Sequence, residues 1–182
     1  MLIIMAGLPG TGKSTIARML ARHLNGHVFD KDAVRATLFG PKRVDYTAAQ
    51  DDLVVDLMLR AAEYLFTRKP SLTVILDGRV FSRNSQLRTV TEFADRIGQQ
   101  WHVVECICSE ATARRRLTRA ARRGSHVAAN RNWQLYQELK SRFEAIPEPK
   151  TVIDTDRPLG FNSGELLKRV GHTPQQDLQR SA

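Results

Sequence analysis

Met1-Leu2-Ile3-Ile4-Met5-Ala6-Gly7-Leu8-Pro9-Gly10-Thr11-Gly12-Lys13-Ser14-Thr15 runs an uninterrupted apolar stretch directly into a glycine-rich segment. Residues 7–14 satisfy G-x-x-x-x-G-K-[S/T] in full, and the context is the one that this pattern requires. Residues 2–6 read as a buried strand. From Lys13 onward Ile16, Met19, Leu20 and Leu24 return on one helical face. Glycines at 7, 10 and 12 allow backbone N–H groups to turn inward around phosphates, where a Cβ would obstruct them. Lys13 is then expected to reach the β- and γ-phosphates of ATP and Ser14 to ligate Mg²⁺, with the helix amino terminus adding roughly half a positive charge. Gly7, Leu8, Pro9, Gly10, Thr11, Gly12, Lys13, Ser14 and Thr15 together form the expected nucleotide cradle. The motif names the phosphate donor and is silent on the acceptor.

Outward from this loop, strand and helix signals alternate. His27-Val28-Phe29 reads as a short strand, and a helix over 31–39 stops at Gly40-Pro41. A long helix over about 47–67 follows, with Leu53, Val54, Leu57, Met58, Ala61, Leu65 and Phe66 as its expected buried stripe. The apolar run 71–76 predicts a buried parallel strand delivering Asp77 at its carboxyl end. Helix is predicted near 83–97, strand over 101–107, helices over 110–122 and 131–143, a last strand over 151–153 and a short helix near 164–170. This is an α/β pattern: an open parallel five-stranded sheet flanked by helices, with ligands at the carboxyl ends of the strands. The expected boundaries are one domain over 1–171, a helical lid near 110–130, and a frayed polar tail over 172–182.

Composition bounds the function class. Of 182 residues, 42% are hydrophobic and 26% charged, which suits a folded chain. No apolar run reaches the roughly 20 residues of a membrane span, so a cytoplasmic protein without a membrane partner is expected. Lysine and arginine number 28 against 19 acidic residues, and 28 − 19 gives a formal charge of +9. That balance favours a polyanionic ligand, and ATP itself is one. Cys106 and Cys108, two apart in an apolar run, point in parallel and suit core packing better than a disulfide. The five histidines show no metal-ligand spacing.

Asp32 and Arg35 lie three residues apart at the start of the second helix, so both can project toward the phosphate loop. One reading makes Asp32 a general base for an attacking hydroxyl and Arg35 a clamp for an anionic group. The other makes Asp30 or Asp32 a helix cap, with Arg35 solvated.

Phe29-Asp30-Lys31-Asp32-Ala33-Val34-Arg35 following a G-x-P-G-x-G-K-S-T loop resembles the P-loop kinases related to polynucleotide 5′-kinases. Zeta toxins and chloramphenicol phosphotransferases are more distant members of the resemblance. In overall pattern it is similar to the predicted bacterial ATP-binding kinases of the AAA-type P-loop group. The likeness spans most of residues 1–155 and implies that Asp32 is the general base and that Arg35 grips an anionic group of the acceptor. Asp77-Gly78-Arg79 stands where those kinases resemble Asp-Thr-Asn, which implies Asp77 as a Mg²⁺ or acceptor-hydroxyl partner. Arg79 departs from the pattern, and Arg79 with Arg83 is expected to bind a different anionic acceptor.

Arg114, Arg115, Arg116, Arg119, Arg122 and Arg123 place six positive charges within ten residues. Arg116, Arg119 and Arg123 share a helical face. The resemblance implies a lid that closes over ATP, with Arg116 and Arg123 neutralising phosphate charge. Arg114, Arg115 and Arg122 are read as solvated, and Trp133 and Tyr136 as core instead of a base-stacking platform. The leading expectation is an ATP-dependent kinase acting on a hydroxyl, with a polynucleotide 5′-end or a polar or anionic small molecule as acceptor. The competing class is a toxin-like or switch module that binds nucleotide without rapid transfer.

Overall fold

The protein is described as a computed structural model covering residues 1–123, 132–158, 164, 166–168 and 170, with Arg123 described by its backbone alone. The elements in chain order are β1 (Leu2–Ala6), α1 (Lys13–Leu24), β2 (His27–Asp30), α2 (Lys31–Phe39), α3 (Ala48–Arg68) and β3 (Val74–Asp77). They continue as α4 (Asn84–Arg96), β4 (Trp101–Ile107), α5 (Glu110–Arg123), α6 (Trp133–Ser141) and β5 (Thr151–Asp154). The five strands form one sheet in the order β2-β3-β1-β4-β5, and every pairing is parallel.

Both faces of this sheet are covered, which explains why β1 is apolar at every position. Leu2, Ile4 and Ala6 pack against α3 and α4 through Val54, Met58, Ala62, Val90 and Phe93. Ile3 and Met5 face the other way, onto Ile16, Ala17 and Leu20 of α1 and onto the helical residues Leu166 and Val170. A half-buried strand would alternate polar and apolar side chains; a central parallel strand cannot. The chain adds β2 and β3 on one side of β1, then crosses to add β4 and β5 on the other. The loop after β1 therefore sits at the switch point where a crevice opens.

The strand and helix order agrees with the sequence reading, and three details differ. Along α3 the buried residues are Val54, Val55, Met58, Leu59, Ala62 and Phe66, whereas Leu53 and Leu57 are 48% and 37% exposed. Apolar residues cover more than half of that helix's circumference, so periodicity could not centre the stripe. Strand β3 begins at Val74 instead of 71, because its neighbours supply pairing partners only from Leu2 and His27 onward. Helix α6 spans Trp133–Ser141, shorter than expected, and residue 131 lies outside the described residues. The expected tail over 172–182 also lies outside them.

Gly7 has φ +122°, and a Cβ built there would stand 2.3 Å from the backbone oxygen of Cys106 on β4. Gly98 also has positive φ, but a Cβ at that position would meet nothing within 4 Å. Urea denaturation should show Gly98→Ala losing about 1–2 kcal/mol from the backbone conformation alone. Gly7→Ala should lose at least about 2 kcal/mol more, because two backbones must separate. Equal losses would contradict the close approach.

Candidate active site

The loop between β1 and α1 is built on its glycines: Gly7, Gly10 and Gly12 all have positive φ, at +122°, +82° and +91°. The reason differs in part from the one expected. Besides leaving room for a phosphate, the missing Cβ atoms let the loop lie against its neighbours, with Cys106 beneath Gly7, Ala113 and Leu117 beside Gly10, and Thr155 beside Gly12. Gly12 caps α1 without any side-chain hydrogen bond, so no side chain competes for that helix amino terminus. Lys13 is only 2% exposed, and its Nζ donates to the carbonyls of Gly7 (2.6 Å) and Leu8 (2.8 Å). Ser14 follows at the start of α1 and is half-buried; Thr15 is exposed.

Asp77 ends β3 beside Asp30 of β2 and is 2% exposed. Among the described residues its Oδ1 has no hydrogen-bond partner. A buried carboxylate oxygen left in that state is costly unless something else binds it. Its carboxylate and the Ser14 hydroxyl are both oxygen donors of the kind Mg²⁺ takes beside phosphates. The residues present thus fit a magnesium nucleotide.

On the acceptor side the structure resolves the ambiguity at the start of α2. Asp30 is the cap: its Oδ1 accepts from the N–H groups of Asp32 (2.9 Å) and Ala33 (3.3 Å). Asp32 is therefore released from capping, and with Lys13, Lys31, Arg35, Arg79 and Pro9 it lines one cleft. Arg35, 2% exposed, is anything but solvated. Its Nη1 donates to Asp32 Oδ1 at 3.2 Å, its Nη2 is ion-paired with Asp51 of α3, and its guanidinium lies 5.2 Å from the Tyr46 ring centroid. Lys31 Nζ pairs with Asp51 at 2.8 Å and stands 3.7 Å from Asp32. Arg79, 8% exposed, donates through Nη2 to Asp52 of α3 at 2.5 Å. Gly78 has φ +93°, and a Cβ added there would stand 3.0 Å from Lys31 N and Lys31 Cβ, so glycine lets the loop after β3 pass close to the start of α2. Leu135, Leu139 and Arg142 of α6 and its C-cap supply the opposite wall.

Arg83 does not join this group. It is exposed at the amino-terminal cap of α4 and is absent from the cleft wall, because the chain turns into α4 before its side chain can reach inward. Of the arginines on α5, Arg116 reaches the phosphate loop itself. Its Nη1 donates to Gly10 O (3.2 Å) and Thr155 Oγ1 (2.8 Å), and its Nη2 to Thr155 O (2.8 Å). Thr155 Oγ1 also lies 2.8 Å from Thr11 O, so Thr155 and Arg116 together tie β5 and α5 to the loop. Asp156 accepts from Ser109 N at 2.7 Å, and this bond with those of Thr112 holds its carboxyl below the usual range. Arg114 is exposed, as expected, with its guanidinium 5.5 Å from the Trp133 ring centroid, and Trp133 stacks on the buried Tyr136. These aromatics pack with Ala113, Leu117 and Leu8, a small core joining α5, α6 and the loop. Arg115 donates to Thr112; Arg119 and Arg122 are exposed; the Arg123 side chain lies outside the described residues.

Sequence reasoning missed Asp51, Asp52, Lys31 and the α6 wall. Lys31 carried a signal, adjacency to Asp32, but Asp51 reaches the cleft, and Asp52 the Arg79 guanidinium, only through the packing of α3. Burial drags the Lys31 ammonium down to about 8 from 10.5, against the pull of Asp32. The unfolded lysine thus binds a proton that the folded one has lost, and stability rises with pH between those values. Relative to Lys31→Met, the natural chain should gain up to about 3 kcal/mol from pH 8 to pH 10.5 in denaturant titrations. A difference that is flat across this window would contradict the buried charge.

A family model of the AAA domain matches residues 2–146. No curated protein matches the chain. Among solved structures, a Chloroflexus aurantiacus protein provisionally described as a kinase is 16% identical with a TM-score of 0.72, covering 92% of this chain and 96% of its own. The Mycobacterium tuberculosis APS kinase CysC in complex with AMPPNP and APS is 18% identical with a TM-score of 0.66, covering 94% and 97%. A sugar kinase from Janibacter sp. HTCC2649 is 18% identical with a TM-score of 0.64, covering 96% of each chain. These likenesses are of fold, and the fold is that of the P-loop kinases. With the glycine loop, the parallel sheet and a match over residues 2–146, the chain belongs to the AAA domain family.

Proposed function

We propose that this protein is an ATP-dependent kinase that transfers the γ-phosphate to a hydroxyl of a polar or anionic acceptor, with Asp32 as general base. The observation that carries this reading is that Asp32, freed from capping by Asp30, shares one cleft with Lys13. A module that only held nucleotide would have no use for a second polar wall facing the phosphate-binding lysine. The fold's occurrence in an APS kinase complex with AMPPNP and APS, and in a sugar kinase, supports the same reading.

In this mechanism the phosphates of ATP occupy the loop over residues 7–14 and replace the carbonyls of Gly7 and Leu8 as partners of Lys13. Ser14 and Asp77 would hold Mg²⁺, which supplies charge neutralisation across the β- and γ-phosphates when bound. The acceptor hydroxyl enters from the cleft side and gives its proton to Asp32 as its oxygen bonds to the γ-phosphorus. The bond from that phosphorus to the leaving oxygen of ADP breaks, and the products are the phosphorylated acceptor, ADP and a proton on Asp32. Arg35 keeps the Asp32 carboxylate aimed, through their 3.2 Å contact, and adds positive charge where the acceptor binds. Arg116 stabilises the leaving phosphate from the loop side, and Arg123 is assigned to the same task.

The reading is tested with γ-labelled ATP and a panel of 5′-hydroxyl oligonucleotides, nucleosides, sugars and aminoglycoside- or phenicol-type alcohols. Asp32→Asn should lower transfer by about 10²- to 10⁴-fold, the typical worth of a positioned base. Its AMPPNP affinity should stay within about twofold, since the nucleotide cradle is untouched. Transfer that survives the substitution contradicts the base. ATP binding with no label on any acceptor would point to the nucleotide-binding module instead.

A further inference from the structure

Three buried cations line the cleft with Asp32, and the two further carboxylates they pair with, Asp51 and Asp52, are more exposed than they are. Lys31 and Arg35 share Asp51, whose side chain is 28% exposed. Arg79, with its side chain 9% exposed, leans on Asp52, whose side chain is 64% exposed and does not line the cleft. Among the described residues Arg35 Nε and Arg79 Nε have no hydrogen-bond partner, although both residues line the cleft. Buried cations are costly unless paired and fully hydrogen-bonded, and an exposed carboxylate is a weak partner that bulk water competes for. An anion from outside would give those two nitrogens a partner.

We infer that the acceptor is a small molecule bearing its own phosphate, sulfate or carboxylate, and that Arg79 and Lys31 bind this group while Asp32 faces the hydroxyl to be phosphorylated. The inference rests on the kinase reading and narrows it. Arg79 is well suited to the task because its planar fork matches a two-oxygen anion, and the guanidinium lies 5.9 Å from the Phe81 ring centroid, which limits its rotation. Lys31 adds a point charge from the adjoining turn of α2, where its Nζ stands 3.7 Å from Asp32. The size of the space favours a compact molecule over a polymer end. Tyr46, Phe81, Leu135 and Leu139 wall a cavity of about 200 Å³. Pockets for drug-sized ligands run to roughly 300–1,000 Å³. Asp52 acts as a placeholder that the acceptor's anion displaces.

Calorimetry on the protein saturated with AMPPNP and Mg²⁺ tests this without depending on turnover. The probes are matched pairs, ribose 5-phosphate against ribose and glycerate against glycerol. At least one anionic member should bind at least about tenfold more tightly than its neutral partner, and Arg79→Gln should erase that preference. Retained AMPPNP affinity shows that the variant is folded. Asp52→Asn should tighten anion binding several-fold, a gain that a purely structural ion pair would not produce. Equal binding of neutral and anionic members, or a preference that survives Arg79→Gln, overturns the inference. Anion-dependent binding without label transfer leaves it standing and removes the kinase reading. Transfer to a neutral sugar or an oligonucleotide end, indifferent to Arg79→Gln, does the reverse.

Discussion

Lys13 holds its ammonium at 2% exposure, 2.6 Å from the carbonyl oxygen of Gly7 and 2.8 Å from that of Leu8. A buried charge survives only if something satisfies it, and here the loop's own backbone carbonyls do so. The loop can curl around the lysine because Gly7 sits against the Cys106 carbonyl at positive φ, which places the β1 end of the loop firmly on β4. Cys106 itself, buried and pushed up to about 12, stays a neutral thiol beneath this charge. Position of the strands, curvature of the loop and burial of the lysine are one constraint seen from three sides.

Two layers of support act on that centre. At the loop itself Arg116 and Thr155 bind Gly10 and Thr11 through one hydrogen bond each, and two more join Arg116 to Thr155, so α5 and the end of β5 are coupled to the loop. The aromatic packing of Trp133 and Tyr136 extends the coupling to α6, whose Leu135 and Leu139 line the cleft that holds Asp32. On the acceptor side, Asp30 takes over capping so that Asp32 is held by cations instead. The division of labour between two aspartates two residues apart is what distinguishes a candidate base from an ordinary helix cap.

Much of this is legible in the sequence because local rules govern it. The loop motif, the all-apolar β1, the Gly40 stop and the placement of Asp77 at a strand end follow from spacing and residue type. The choice between Asp30 and Asp32 as cap does not, since both residue types cap equally well and only backbone geometry decides. The α3 stripe is displaced by about one residue from its expected position because Leu53 and Leu57 are as apolar as the buried Val55 and Leu59. Asp51 and Asp52 escape notice for a different reason: on α3 they look like ordinary solvated acids, and only tertiary packing brings them to Arg35 and Arg79. Arg83 shows the converse, a residue close in sequence to the site that the chain's turn into α4 carries away.

Phosphorus NMR of the protein incubated with ATP, Mg²⁺ and each member of the acceptor panel, ribose 5-phosphate and glycerate included, follows the fate of the transferred group most directly. A kinase with Asp32 as its base should give a new phosphomonoester resonance growing in equal amount with ADP, and Asp32→Asn should abolish it. ADP accompanied by inorganic phosphate alone, or ATP bound and unchanged, would contradict it.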